Sequence, residues 1–236
     1  MISRQKYCHE WRKLLNYKTV TYIDEKPFEL GCIPNRQNTR FYRAKSQKHT
    51  VPTLQIEKHS VKIHTFCCVN WHGKSEIRVY VDYKQKRRGF GLKRIHLAMN
   101  TDNTIDSFAN YLLPFLDETD TKNNLILMDG ARCHISKDTQ DWLDENSIKC
   151  IPYGRKPIQT PNGHPPNSPD LNPIENIFAY WHERVAKRNP KMIAQLIEIV
   201  KDEWNKIPLS VIRNCIKHLS KVMKWVEENN GNYYRE

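Results

Sequence analysis

Two short runs of β-branched, aromatic and aliphatic residues interrupt an otherwise polar chain: Thr19-Val20-Thr21-Tyr22-Ile23 and Asn124-Leu125-Ile126-Leu127-Met128. Each is followed directly by an aspartate, Asp24 in the first case and Asp129 in the second. The second run is continuously apolar from Leu125, as a strand buried on both faces must be. The first has the residue types of a strand and is expected to end on Asp24. Strand ends of an open α/β sheet are where ligand and metal sites gather, because the rigid sheet fixes the side chains that project beyond it.

The rest of the chain supplies partners for those strands. Residues 1–16 predict a short helical or irregular leading segment. Val61–Asn70 and Glu76–Tyr83 read as strands, and His72-Gly73-Lys74 between them predicts an antiparallel hairpin. Ile105, Phe108, Tyr111, Leu112, Phe115 and Leu116 give an apolar stripe at helical spacing, in a helix opening at Asn103 or Thr104. Ser136 has the character of an N-cap for a helix through Trp142 and Leu143, and Ile148–Tyr153 reads as a further strand. Gly154–Pro169 holds five of the 13 prolines and is a loop by composition. Asn172-Pro173 opens a helix to about Lys187, in which Phe178 and Trp181 are expected to anchor the core. Amphipathic helices follow over Ile193–Trp204 and Val211–Val226, with a stop at Asn229-Asn230-Gly231. The order predicts an α/β fold, a mixed sheet flanked by helices with extra C-terminal helices.

The hydrophobic fraction of 39% is enough for a core, although the mean hydropathy is −0.75. No run of about 18 apolar residues is present, so no membrane-spanning helix is expected. The start of the chain has no apolar stretch of the signal-peptide kind, and the expectation is a soluble, intracellular protein. The seven cysteines contain no C-x-x-C pair, which leaves structural zinc and a disulfide framework poorly supported. The net charge of +12 favours a polyanionic partner. It is unevenly spread: Gly31–Ile56 has no acid but carries Arg36, Arg40, Arg43, Lys45 and Lys48. A second basic cluster, Lys84–Arg88 with Lys86, Arg87 and Arg88, is followed by Gly89, Gly91, Lys93 and Arg94. Both read as loops able to lie along a phosphate backbone, and both equally as solvated charged faces.

A third carboxylate, Glu175, falls in the first turn of the helix that follows the proline-rich loop. Three carboxylates with water suit hard cations such as Mg²⁺ or Mn²⁺, and two such ions serve phosphoryl transfer. An aspartate at a strand end is also a common turn former, and a glutamate in a first turn a common dipole partner. Spacing alone leaves both readings open.

The residues around the acids decide between them. Tyr22-Ile23-Asp24-Glu25-Lys26-Pro27-Phe28, Leu127-Met128-Asp129-Gly130-Ala131-Arg132-Cys133-His134 and Ser168-Pro169-Asp170-Leu171-Asn172-Pro173-Ile174-Glu175-Asn176 together resemble the mariner-type DDE transposases. The third block is the most specific. The stretch Leu196–Pro208 is also similar to that family's closing helices, so the resemblance runs from about His9 to Gly231. It implies a ribonuclease-H-like fold, with Asp24, Asp129 and Glu175 as catalytic residues and ligands of two Mg²⁺ or Mn²⁺ ions. It also implies DNA strand cleavage followed by strand transfer, with transposon ends and target DNA as partners and no small-molecule cofactor. Asp170 competes with Glu175 for the third position, but its proline-flanked turn suits a bracing role better. Asp170, Asn172 and Glu25 are candidates for supporting the acids; Glu25 faces away from Asp24 if the strand continues. His134 is a candidate to contact phosphate, to order the site, or simply to begin a helix. His164 in the proline-rich loop receives no role.

The chain also departs from the family pattern. The Asp129–Glu175 interval is longer than in familiar members, with the surplus in Tyr153–Asn167, and surface loops of this kind are tolerated at small free-energy cost. Family members place helix-turn-helix modules ahead of the catalytic domain, and only a short stretch precedes the first strand here. The expectation is a fragment, a decayed copy or a shortened reading frame with salt-sensitive, general DNA affinity. The organisation expected is a leading segment over 1–18, a catalytic domain over 19–190 with basic loop 31–60 and proline-rich insertion 154–169, and C-terminal helices over 191–236 on the same domain. The basic loop falls where some relatives carry a dimer-clasping loop, so a homodimer is an expectation; the compartment would be the nucleus in a eukaryote and the cytoplasm in a bacterium. Two alternatives remain: a domesticated or inactive DNA-binding protein, and a ribonuclease-H-like nuclease.

Overall fold

A computed structural model of the chain describes residues 2–14, 16–30, 62–81, 83–86, 92–95, 100–153 and 163–234. The basic Gly31–Ser60 stretch, with Arg36, Arg40, Arg43, Lys45 and Lys48, lies outside the described residues, as do Arg87 and Arg88.

The central sheet has the order β3-β2-β1-β6, with β1 at Val20–Glu29, β2 at Lys62–Val69, β3 at Arg78–Val81 and β6 at Leu125–Leu127. β1 and β2 are antiparallel from Tyr22↔Val69 to Glu29↔Lys62, and the β2–β3 hairpin forms as expected. β1 and β6 are parallel, Val20 opposite Leu125 and Tyr22 opposite Leu127. The sheet is therefore mixed. β1 does not stop at Asp24: the partner β2 continues its ladder for five more residues, and Asp24 lies inside the strand opposite Cys67. The expected strand at Ile148–Tyr153 is reduced to bridges at Cys150 and Tyr153. Ile126 alone exchanges bonds with it, donating to Lys149 O and accepting from Ile151 N–H, and Pro152 then has no N–H to continue a ladder. The second basic cluster is not a loop throughout, since β4 (Tyr83–Lys86) and β5 (Leu92–Ile95) pair as an antiparallel hairpin.

Alternation along β1 divides the core between the two faces of the sheet. Val20, Tyr22 and Phe28 face one cluster, joined by Tyr7 and Trp11 of α1 (Ile2–Leu14) and by the buried stripes of α5 (Pro173–Lys187), α6 (Ile193–Asn205) and α7 (Leu209–Glu228). Ile23, Phe66 and Cys68 face the other, packed under α2 (Thr101–Ser107), the π-helical turn Phe108–Leu112, α3 (Leu113–Glu118) and α4 (Lys137–Glu145). Helix α2 opens at Thr101, earlier than the apolar stripe suggests, because the Asn100 side chain accepts from Asn103 N–H and caps it. Ser136 caps α4 by accepting from Thr139 N–H. Among the described residues no helix is long and apolar enough to cross a membrane. Six described cysteines are free, and four of them are buried.

Helix α5 is seated by aromatic packing. Trp181 is fully buried, lies edge-on to Phe28 of β1 at 4.6 Å, and contacts Trp204 of α6 at 4.7 Å. Its indole N–H donates to Val200 O at 3.0 Å, as a buried indole requires. Phe178 and Trp181 are thus core anchors, and they fix the start of α5 over β1.

Candidate active site

Asp24, Asp129 and Glu175 line one cleft of about 290 Å³, together with Gly130, Tyr153, His164, Ser168 and Asn172. Each acid arrives on a different element. Asp24 sits on β1; the parallel register, extended by two residues, places Asp129 beside it at the end of β6. Glu175 occupies the third position of α5, brought there by the Asn172 cap and Pro173. Asn172 links two of the three: its Oδ1 accepts from Ile174 N–H at 3.3 Å, and its Nδ2 donates to Asp24 Oδ2 at 3.2 Å. Among the described residues, no three His, Cys, Asp or Glu side chains are drawn together tightly enough to form a closed metal cage; the acids border an open cleft.

The electrostatics of the three acids differ. Burial, then repulsion from Glu25 and Glu175, hold the Asp24 carboxyl well above the usual range, although Glu25 N–H donates to its Oδ1. Burial also raises Glu175; Lys26 opposes this and Asp129 adds to it. Asp129 goes the other way. Burial pushes it up, but hydrogen bonds from His134 and Ala131 N–H outweigh that and hold it low. Burial and mutual repulsion thus disfavour the ionised forms of Asp24 and Glu175 unless a counter-charge lies between them, and a donor set of carboxylates suits hard divalent cations.

His134 sits behind the acids and does not face DNA. It is fully buried, its Nδ1 is 2.7 Å from Asp129 Oδ1 and its Nε2 is 3.1 Å from Glu25 Oε1. Burial alone would lower its pKa; the bonds to the two carboxylates outweigh that and raise it well above the usual value. Both nitrogens are engaged by carboxylates, so of the three readings of His134 the geometry fits that of ordering the site. Glu25 does face away from Asp24, on the opposite side of β1, and supports Asp129 through His134.

Asp170 supports neither acid. The Arg4 guanidinium grips it through two bonds, of 2.9 and 2.6 Å, and Tyr234 N–H donates to it at 3.1 Å. Arg4 also donates to Gly231 O at 2.9 Å. The aspartate ties α1 to the end of α7 and is no alternative to Glu175 at the cleft.

Two features of the cleft wall escaped the sequence reading. A Cβ at Gly130 would run into the ring of Tyr153, so glycine lets the loop after Asp129 pass under that ring. His164 is buried, and neither ring nitrogen has a hydrogen-bond partner. Burial, then the nearby Arg4, lower its pKa to about 4, so the ring is neutral at neutral pH. Its edge meets Tyr7 at 5.4 Å. A histidine in a proline-rich loop carries no sequence signal for this placement.

Residues 91–197, which include Asp129 and Glu175, match the DDE superfamily endonucleases. The chain superposes over 99% of its length on a Mos1 mariner transposase in a paired-end complex with Mg, with a TM-score of 0.78 at 16% identity and 63% of that chain covered. It also superposes, over 99% of its length, on the catalytic domain of Mos1 mariner transposase, with a TM-score of 0.65 at 13% identity and 95% of that chain covered. The chain thus resembles the DDE endonucleases over residues 91–197 and shares the fold of the mariner catalytic domain. Its ribonuclease-H-like α/β fold is that of the Mos1 domain, as the flanking motifs implied. Among curated relatives it is 22% identical over 223 residues to the Tc3 transposase of Caenorhabditis elegans, covering 92% of this chain and 58% of that protein. It is 24% identical over 140 residues to the Tcb2 transposase of Caenorhabditis briggsae, covering 59% of this chain and 47% of that protein. The chain thus spans less than two thirds of the length of the curated relatives it matches.

Two substitutions test this division of roles. Asp170→Ala leaves the buried Arg4 guanidinium unpaired and is expected to cost about 3–5 kcal/mol in chemical denaturation. His164→Leu removes an unpaired buried polar group and is expected to raise stability by about 1 kcal/mol in the same measurement.

Proposed function

We propose that the chain is a mariner-type DDE catalytic domain that cuts DNA strands and joins the freed 3′ end to target DNA, with Asp24, Asp129 and Glu175 holding two Mg²⁺ or Mn²⁺ ions. The observation that carries the reading is the delivery of three carboxylates by three separate elements to one cleft. Bound there, the divalent ions would supply activation of the attacking oxygen and stabilisation of the leaving one.

The chain's own contribution is geometry and charge. Asp24, buried on a central strand and braced by Asn172, is the rigid ligand. Asp129, held ionised by His134 and Ala131 N–H, presents its remaining oxygen to the cleft. Glu175 closes the third side from the dipole-positive end of α5, with its backbone held by the Asn172 cap. Tyr153 and the Gly130 turn wall the cleft beside Asp129. DNA is the proposed partner, and the Mos1 transposase complexes that share this fold, a paired-end complex with a transposon end and a strand transfer complex among them, support that choice. A homodimer is proposed on the same ground. A binding-only role gains no support from a cleft in which all three acids are present.

The test is nicking of supercoiled plasmid with and without Mn²⁺. The chain is expected to nick only with metal, and Asp24→Ala, Asp129→Ala and Glu175→Ala each to lower the rate at least about a thousandfold, on the scale of lost electrostatic stabilisation. Asp170→Asn is expected to keep its nicking activity. Metal-independent nicking, or nicking that survives Asp129→Ala, would exclude the proposal.

A further inference from the structure

The cleft leaves much of the chain's positive charge unexplained, and part of it gathers at the other end of the sheet around Trp71. This residue follows Asn70 in the β2–β3 turn, beyond the Tyr22–Val69 pair, and its ring is half-exposed. Three cations surround it. Lys18 Nζ lies 4.9 Å from the ring centroid, Arg213 Cζ 5.4 Å and Lys217 Nζ 5.5 Å. Lys18 comes from the 3₁₀ turn Tyr17–Thr19 that leads into β1, and Arg213 and Lys217 are one turn apart on α7. The cluster is held in place: Arg213 Nε donates to Trp71 O at 3.0 Å, and Tyr17 packs on the indole at 6.2 Å.

Among the described residues, none of the three cations has an acidic partner, whereas several other exposed cations do. Lys122 pairs with Asp117, Lys187 with Glu183, and Lys206 and Arg188 both with Asp202. Helix α7 contains no acid before Glu227. The indole face attracts each cation but does not cancel the repulsion among them, since all three lie within about a Debye length of one another. A ligand with spaced negative charges relieves that repulsion, and a phosphodiester backbone has that spacing and accepts from both guanidinium and ammonium.

We propose that Lys18, Arg213 and Lys217, gathered on Trp71, form a second contact for the backbone of duplex DNA, separate from the catalytic cleft. The proposed action on DNA bears on this only in selecting the polyanion. The chain from Lys18 to Asp24 spans at most about 20 Å, so a duplex of two or three turns is long enough to touch both places.

The test is fluorescence anisotropy of the full chain on a labelled duplex, in EDTA so that binding is read without cleavage, between about 50 and 200 mM salt. Lys18→Ala/Lys217→Ala is expected to lower the slope of log K against log salt by about two, at about 0.9 per phosphate contact. Lys18→Arg/Lys217→Arg is expected to restore it. Lys122→Ala/Lys187→Ala, which removes two exposed lysines that have acidic partners, is expected to leave it unchanged. Lys18 and Lys217 are exposed, so thermal melting of the first variant should match the parent. A slope unchanged in Lys18→Ala/Lys217→Ala, or lowered equally in the control pair, would overturn the proposal. So would displacement of the duplex by polyglutamate as effectively as by unlabelled duplex. Because no divalent ion is present, failure of plasmid nicking would leave this result standing, and the reverse.

Discussion

The cleft depends on one pairing, that of β1 with β6. These strands are far apart in sequence, and their parallel register alone sets Asp24 beside Asp129. Everything else about the cleft is attached to that pair. Phe28, further along β1, receives Trp181 of α5 and so places Glu175 above the same strand. The opposite face of β1 presents Glu25 to His134, which returns to Asp129 from behind. One strand thus supports all three acids, two through its even-numbered face and the third through its odd one.

Gathering carboxylates at a half-buried site is unfavourable without a counter-charge. The chain resolves this differently for each acid. Asp129 is compensated by a buried imidazole whose pKa is raised by two carboxylates, whereas Asp24 receives only an amide from Asn172 and a backbone N–H. The repulsion among the carboxylates is the physical reason for expecting a divalent cation between them. Asp170, chemically equivalent and only five residues from Glu175, is spent on Arg4 and the chain ends instead.

Much of this was legible in the residues. The two apolar runs named the central strands, the helical stripes named the face each helix buries, and the motif ending in Glu175 separated that acid from Asp170. What stayed hidden depended on partners distant in the chain. The continuation of β1 past Asp24 is imposed by β2, and residue types near Lys26-Pro27 gave no hint of it. The loss of the Ile148–Tyr153 strand follows from Pro152 and from the shortness of β6, three residues with little ladder to offer. His134 reads as a helix-flanking histidine until Glu25 is brought against it across the sheet. The same holds for the cations around Trp71, which come from three separate segments.

The central claim is that Asp24, Asp129 and Glu175 are ligands of divalent metal. Anomalous scattering from crystals of the chain soaked in Mn²⁺ tests it most directly. The account predicts peaks in the cleft with carboxylate oxygens of all three residues about 2.0–2.2 Å away, absent in Asp24→Ala/Asp129→Ala crystals treated alike. Mn²⁺ bound elsewhere with the cleft empty at saturating metal, or a cleft peak that ignores Glu175, would contradict it.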